Sequence, residues 1–182
     1  IKESITKGII SSATMKDSGL TSIGGMPKHW RLIKLSNFFY TKVGKRSHKL
    51  TKEYCSSNPG VYPVYSGQTQ NNGVMAFIND FEFEVGEEGA IISTTVGEKA
   101  MSIKKVKGRF NLSQNCMIIL GKDNSCLTNY LEYCLSSIFK IEKSKIPNHM
   151  QKSFRKSDFN QIKIPIPPIK EQHDIVYFLN EE

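Results

Sequence analysis

The chain has 182 residues, of which 38% are hydrophobic, enough for one domain with a real core and short appendages. No apolar run approaches the roughly 20 residues a membrane helix needs and no signal-peptide pattern opens the chain, so a membrane span is excluded and a cytoplasmic protein expected. Lysine and arginine number 25 against 17 acids, a formal net charge of +8, which suits a polyanionic partner.

The charge is unevenly placed. Segments 41–52, 99–109 and 140–156 hold sixteen of the 25 basic residues and a single acid, Glu142, leaving the rest of the chain net negative. That distribution points to a directed surface. Cys55, Cys116, Cys126 and Cys134 form no Cys-x-x-Cys pair, and His29, His48, His149 and His173 lack zinc-finger spacing, so neither a metal nor a disulfide is expected.

Ile1, Ile5 and Ile9 recur at i, i+4 and read as the last turns of a helix truncated at its start, although Gly8 weakens the pattern. Residues up to 22 are rich in Ser and Thr, with Asp17-Ser18-Gly19 as a turn, and read as a helix end and a linker. Ile23-Gly24-Gly25-Met26-Pro27-Lys28-His29-Trp30 then leads into Arg31-Leu32-Ile33-Lys34-Leu35, where the lone tryptophan anchors the first packed segment. Strands are predicted over Val61–Tyr65, Val74–Ile78, Ala90–Thr95, Ala100–Val106 and Cys116–Leu120, which are β-branched or aromatic and bounded by turn residues. Leu127–Ile141 carries Leu127, Tyr130, Leu131, Cys134, Leu135 and Ile138 on one helical face. Ser157-Asp158 caps a short turn before a closing strand.

At the end, Pro165, Pro167 and Pro168 punctuate a strand that runs into an amphipathic helix with Gln172, Ile175, Val176 and Leu179 on one face. That face suits a seam against a helix missing from the fragment; the alternative is an ordinary helix packed on its own domain.

Catalytic machinery is not evident. Asn58-Pro59-Gly60-Val61 shares only two residues with the Asn/Asp-Pro-Pro-aromatic loop of amino-methyltransferases and reads as a turn. Neither a Gly-x-x-x-x-Gly-Lys-Ser/Thr loop nor an Asp-x-Lys or Glu-x-Lys nuclease pair occurs, and Ser66 lacks a nucleophile elbow. The acidic run Asp80, Glu82, Glu84, Glu87 and Glu88 reads as a solvated rim, or a face kept from phosphate, more than as a cation site.

Binding chemistry is better represented. Lys45, Arg46, Ser47, His48 and Lys49 follow Gly44 and offer donors to phosphates or, through Arg46, to a guanine edge. Ser66, Gln68, Thr69, Gln70, Asn71 and Asn72 concentrate amides that can read adenine, although Asn72-Gly73 also makes this an ordinary hairpin loop. Thr94, Thr95 and Lys99 add hydroxyls and a cation between two strands. Lys143, Lys145, His149, Gln151, Lys152, Arg155 and Lys156 form a long basic stretch, which by itself also reads as a solvated loop. Phe110-Asn111-Leu112-Ser113-Gln114-Asn115 leads into a strand.

Ile164-Pro165-Ile166-Pro167-Pro168-Ile169-Lys170-Glu171-Gln172-His173-Asp174-Ile175 resembles the junction between a target recognition domain and a conserved spacer helix in specificity (S) subunits of type I restriction-modification systems. Ile23-Gly24 with Pro27 and Trp30 resembles the entry to such a domain, and residues 6–19 resemble the end of the central conserved region, which makes this the second recognition domain. The resemblance implies an α+β recognition domain with a curved β-sheet and a few helices, flanked by truncated spacer helices of coiled-coil type: residues 1–22 a helix end and linker, 23–167 the recognition domain, 168–182 the start of the distal spacer. It further implies a non-catalytic part that reads one half of a bipartite double-stranded DNA target beside a companion recognition domain, with modification (M) and restriction (R) subunits as partners. S-adenosylmethionine and ATP would be bound by those partners, and no cofactor by this chain. Two other readings remain: the recognition end of a single-chain restriction-methyltransferase, and an RNA-binding module supported only by charge and aromatics.

Overall fold

A computed structural model describes residues 2–9, 12–68, 70–147 and 149–181. The chain forms two compact units, one from residues 1–40, 121–145 and 156–182, the other from 41–120 and 146–155. Its elements are a mixture of helices and largely antiparallel strands, an α+β fold.

The first unit opens with α1 (Lys2–Lys7), which buries Ile5 and ends at Gly8, whose φ of +76° takes the backbone out of the helix. The helix predicted from Ile5 and Ile9 is therefore shorter than their spacing implies, and Ile9 is exposed; Ile1 lies outside the described residues. β1 (Met15–Asp17) pairs with β2 (Gly25–Pro27), and Lys16 Nζ donates to the carbonyls of Lys28 and Trp30 at 2.8 Å. β3 (Arg31–Lys34) and the short α2 (Leu35–Phe38) follow, and β4 (Phe39–Lys42) carries the chain into the second unit.

That unit is built on a sheet whose strands follow the order β4-β9-β7-β8-β5-β6. α3 (Lys52–Ser57) starts where the Thr51 hydroxyl accepts the Tyr54 N–H at 3.2 Å. It precedes β5 (Pro59–Tyr65), β6 (Val74–Ile78), β7 (Phe83–Thr94), β8 (Ile103–Leu112) and β9 (Cys116–Gly121). Inward residues of the last three, Ile92, Val106, Phe110, Leu112 and Ile118, make one apolar cluster, each such side chain contributing about 1.5–3 kcal/mol by leaving water. Leu50, Cys55, Val64 and Ile78 form a second cluster.

Two strand predictions need correction. The run Ala100–Val106 enters its strand only at Ile103, because Met101 has a φ of +62° and Ala100–Ser102 close a turn on the carbonyls of Gly97 and Lys99. Phe110–Asn115 does lead into β9 at Cys116, but Phe110, Asn111 and Leu112 still belong to β8. β7 reaches back to Phe83 and absorbs part of the acidic run: Glu84 lies opposite Arg109 and pairs with it at 3.0 Å, and Glu87 pairs with Lys107 at 2.8 Å.

The remaining elements return to the first unit: α4 (Thr128–Ser144), α5 (Lys156–Gln161), β10 (Lys163–Ile166) and α6 (Ile169–Glu181). β10 pairs antiparallel with β3, Lys163 opposite Lys34 and Ile166 opposite Arg31. α4 buries the predicted face from Tyr130 to Ile138. The apolar face of α6 is not an open seam: Gln172, Ile175, Val176 and Leu179 are all buried, and α6 packs on α4. The Trp30 indole N–H donates to Glu171 at 2.7 Å, His29 Nε2 stands 2.6 Å from the other oxygen of that carboxylate, and Tyr130 Oη donates to the Pro165 carbonyl at 2.9 Å. Gln172, with no solvent exposure, accepts from Leu127 N–H and donates to the carbonyls of Ser125 and Pro167. These bonds explain the Glu171-Gln172 pair: both residues fasten the start of α6 to the rest of its unit.

Candidate nucleic-acid interface

In the second unit two loops end on the same side of the sheet. One, residues 66–73, joins β5 to β6; the other, 95–102, joins β7 to β8. Between them lies a cleft of about 200 Å³, lined by Ser66, Gln68, Asn72 and Thr94 from the predicted set, with Ser93, Ser102 and Lys104 added by the fold. Hydroxyls, amides and one ammonium thus converge over an apolar floor that includes Ile92 and Cys116. Burial holds the Cys116 thiol protonated, its pKa pushed up to about 12, so the floor carries no charge at neutral pH.

The 66–73 loop is closed by the Ser66 N–H on the Gly73 carbonyl at 2.9 Å and by Gln68 Nε2 on the Val74 carbonyl at 2.7 Å. Gln70, Asn71 and Asn72 are exposed, whereas Thr69 lies outside the described residues. Lys104 donates to the Asn72 carbonyl and stands 5.1 Å from the centroid of the Tyr65 ring; burial lowers its pKa. Strand alternation places it on the face of Val106, where a lysine reads as a misfit rather than a ligand, so it escaped the sequence reading.

The second loop is braced by the stretch 151–155. Val96 and Ser153 form a bridge, Gly97 N–H donates to the Lys152 carbonyl at 2.9 Å, and Phe154 N–H donates to Thr95 at 2.7 Å. Lys152 Nζ pairs with Glu98 at 3.2 Å, its side chain only 15% exposed. Lys99, His149, Gln151 and Arg155 are exposed in the same unit. The third basic segment is otherwise divided, since Lys143, Lys145 and Lys156 belong to the first unit, Lys145 paired with Glu142 at 2.6 Å.

The segment 45–49 is anchored by acids. Arg46 clasps Asp80 through two bonds of 2.5 and 2.9 Å and reaches Asn111 Oδ1 at 3.3 Å; the Lys45 N–H donates to Glu82 at 2.6 Å. These bonds raise the Arg46 pKa and lower that of Asp80. Arg46 is therefore committed to its own chain, while Lys45, His48 and Lys49 are exposed and Ser47 is half-buried. Among the described residues no group of three or more His, Cys, Asp or Glu side chains is placed to hold a metal ion, and no helix is long and apolar enough to cross a membrane.

A polar cleft over an antiparallel sheet is compatible with many families, and comparison with known proteins separates them. The family model for the type I restriction modification DNA specificity domain matches residues 27–181. The chain belongs to that family. It is 31% identical over 137 residues to the type I restriction enzyme MpnII specificity subunit of Mycoplasma pneumoniae, a match covering 74% of this chain and 39% of the relative. Its fold is similar to that of the type I restriction-modification S subunit from M. genitalium, with a TM-score of 0.68 at 17% identity, covering 85% of this chain and 40% of that one. The HsdS subunit from Thermoanaerobacter tengcongensis gives 0.61 at 16% identity, over 92% and 39%. The chain is thus a target recognition domain of the type I specificity family, spanning 36% to 54% of the length of the curated relatives first matched.

In this specificity domain the exit signature and the entry signature meet directly, Trp30 from one bonding Glu171 from the other. The loops around the cleft carry weaker signals, the 66–73 loop its amide-rich composition and the Thr94–Lys99 segment only a loose likeness to a small-polar, Gly-containing loop of the family.

Proposed function

We propose that this domain reads one half of a bipartite double-stranded DNA target for a type I restriction-modification complex, and that it is a non-catalytic part of the specificity subunit. The observation that carries the reading is the cleft: Ser66, Gln68 and Asn72 of the 66–73 loop converge there with Thr94 at the end of β7, and Gln70 and Asn71 of the same loop are exposed. Side-chain amides make paired donor and acceptor contacts to adenine in the major groove, and hydroxyls serve either base. Exposed Lys45, Lys49, Lys99 and Arg155 supply cations that hold phosphates and make affinity fall with salt.

In the same reading the helical ends belong to spacers that set the distance to a companion recognition domain, this one being the second, and that dock modification subunits in the cytoplasm. The modification subunits would bring S-adenosylmethionine and the restriction subunits ATP. The experiment is an exchange: place this domain in a specificity subunit, assemble it with modification subunits and map methylated adenines across a genome. One half of the methylated sequence should change with the domain and the other half should stay. An unchanged methylated sequence would falsify the reading. Replacing Gln68 or Gln70 with alanine should then alter preference at one or two positions of that half, each worth about 1–3 kcal/mol of discrimination.

A further inference from the structure

The tip of the 66–73 loop holds a run of left-handed backbone. Asn71 (φ 46°, ψ 38°), Asn72 (φ 56°, ψ 33°) and Gly73 (φ 78°) are three consecutive left-handed residues. Asparagine and glycine tolerate that region better than other residues and Asn72-Gly73 suits a hairpin turn, but a run extended to Asn71 persists only where the surroundings hold it. Two of the holding bonds, from Ser66 and Gln68, are made by the loop's own residues. Another comes from a different strand, where Lys104 of β8 reaches the Asn72 carbonyl.

Lys104 is an unusual residue for its place. Its register partner is Ile92 and its neighbour on the same strand face is Val106, both core residues. A lysine here gives up part of its hydration, and an apolar residue would fit the face better. What the position gains is a cation seated over the Tyr65 ring, with its donors aimed at a backbone carbonyl in the candidate recognition loop.

We propose that Lys104 is a positioning residue for base discrimination, clamping the Asn72 carbonyl beside Tyr65 and so fixing the directions in which the Asn71 and Asn72 amides are presented. The inference rests on the DNA-recognition reading above. Discrimination depends on donors and acceptors held in one geometry before the target arrives, so loosening the clamp lets wrong bases be accommodated. A phosphate contact acts in the opposite way: its removal weakens binding to every sequence and lowers the salt slope by about 0.9.

The test uses the assembled complex of specificity and modification subunits, with the duplex identified by methylation mapping and a scrambled duplex of equal length, each titrated across salt. Lys104→Met should lower the target-to-scrambled affinity ratio by about tenfold, with scrambled-duplex affinity and salt slope unchanged. Lys104→Arg, which also offers a cation to the ring and a donor to the carbonyl, should restore the ratio to within about threefold of wild type. An unchanged ratio in Lys104→Met overturns the proposal. So does equal weakening on both duplexes with a shallower slope, or an arginine variant as deficient as the methionine one. Should Lys104→Met fail to assemble, Tyr65→Leu is read by the same criterion, a fall in the ratio supporting the clamp and an unchanged ratio overturning it. Wild-type complex that cannot distinguish the two duplexes sinks the recognition reading itself; discrimination that survives all three variants sinks only the role of Lys104.

Discussion

Arg46 shows how a residue type that suits DNA can be spent elsewhere. Its planar fork matches the Asp80 carboxylate, and Asn111 takes a third bond, so the guanidinium acts as a strut between the 44–49 segment and β8. Asp80 is stabilised as a carboxylate, its pKa lying below the usual 3.8. The pair's contribution is therefore fully present above that value and is lost as pH falls through the lowered one. Both side chains are a third to a half exposed, so Asp80→Asn should cost only about 0.5 kcal/mol in urea unfolding at pH 7. The difference from wild type should vanish in strongly acidic buffer. Glu171 carries more: Trp30 is 1% exposed, and Glu171→Ala would leave its indole N–H without an acceptor, for about 1–3 kcal/mol in a thermal or denaturant melt. Glu171→Gln keeps an acceptor and should lose less.

At the scale of elements, the β5–β6 hairpin depends on a close approach at its open end. A Cβ on Gly60 would lie 2.3 Å from the backbone of Ile78 and Asn79, inside any real contact. Gly60→Ala should destabilise by about 1–3 kcal/mol and speed amide exchange in β5 and β6 before the rest of the sheet. The strands were legible as β-branched and aromatic runs between turn residues, β9 being buried continuously rather than in alternation, and α4 because its apolar residues recur at helical spacing, which reports a buried face. Period reports burial and not the partner: Ile175, Val176 and Leu179 announced a covered face, and the cover lies within the chain rather than outside it. The start of β8 was hidden because Ala100 and Met101 are apolar in a turn. In the candidate site the amide-rich loop was legible from composition, while Lys104 was concealed inside a strand and the Arg46–Asp80 clasp spans 34 residues that no local pattern connects.

For the whole molecule, the net charge of +8 overstates what DNA could meet. Lys107 and Arg109 are paired with Glu87 and Glu84 across neighbouring strands, and Lys152 with Glu98, so part of each of two basic segments is already neutralised. Replacing Glu84 and Glu87 together with glutamine should release two cations. Binding to scrambled DNA should then tighten and its salt slope steepen, by up to about 0.9 per cation reaching a phosphate, while the methylated sequence stays the same. A changed methylated sequence would mean that these acids shape the reading loops.

The clasp between Trp30 and Glu171, together with the pairing of β3 and β10, has a consequence for inheritance. The segment between β3 and β10 begins and ends on two paired strands about 4.8 Å apart. A body whose ends are neighbours can be cut out of one gene and set into another without changing how far apart its flanking helices stand. On the proposed reading, a segment traded in this way would carry its own loops into an existing specificity subunit, provided that its α4 presents the same face to α6.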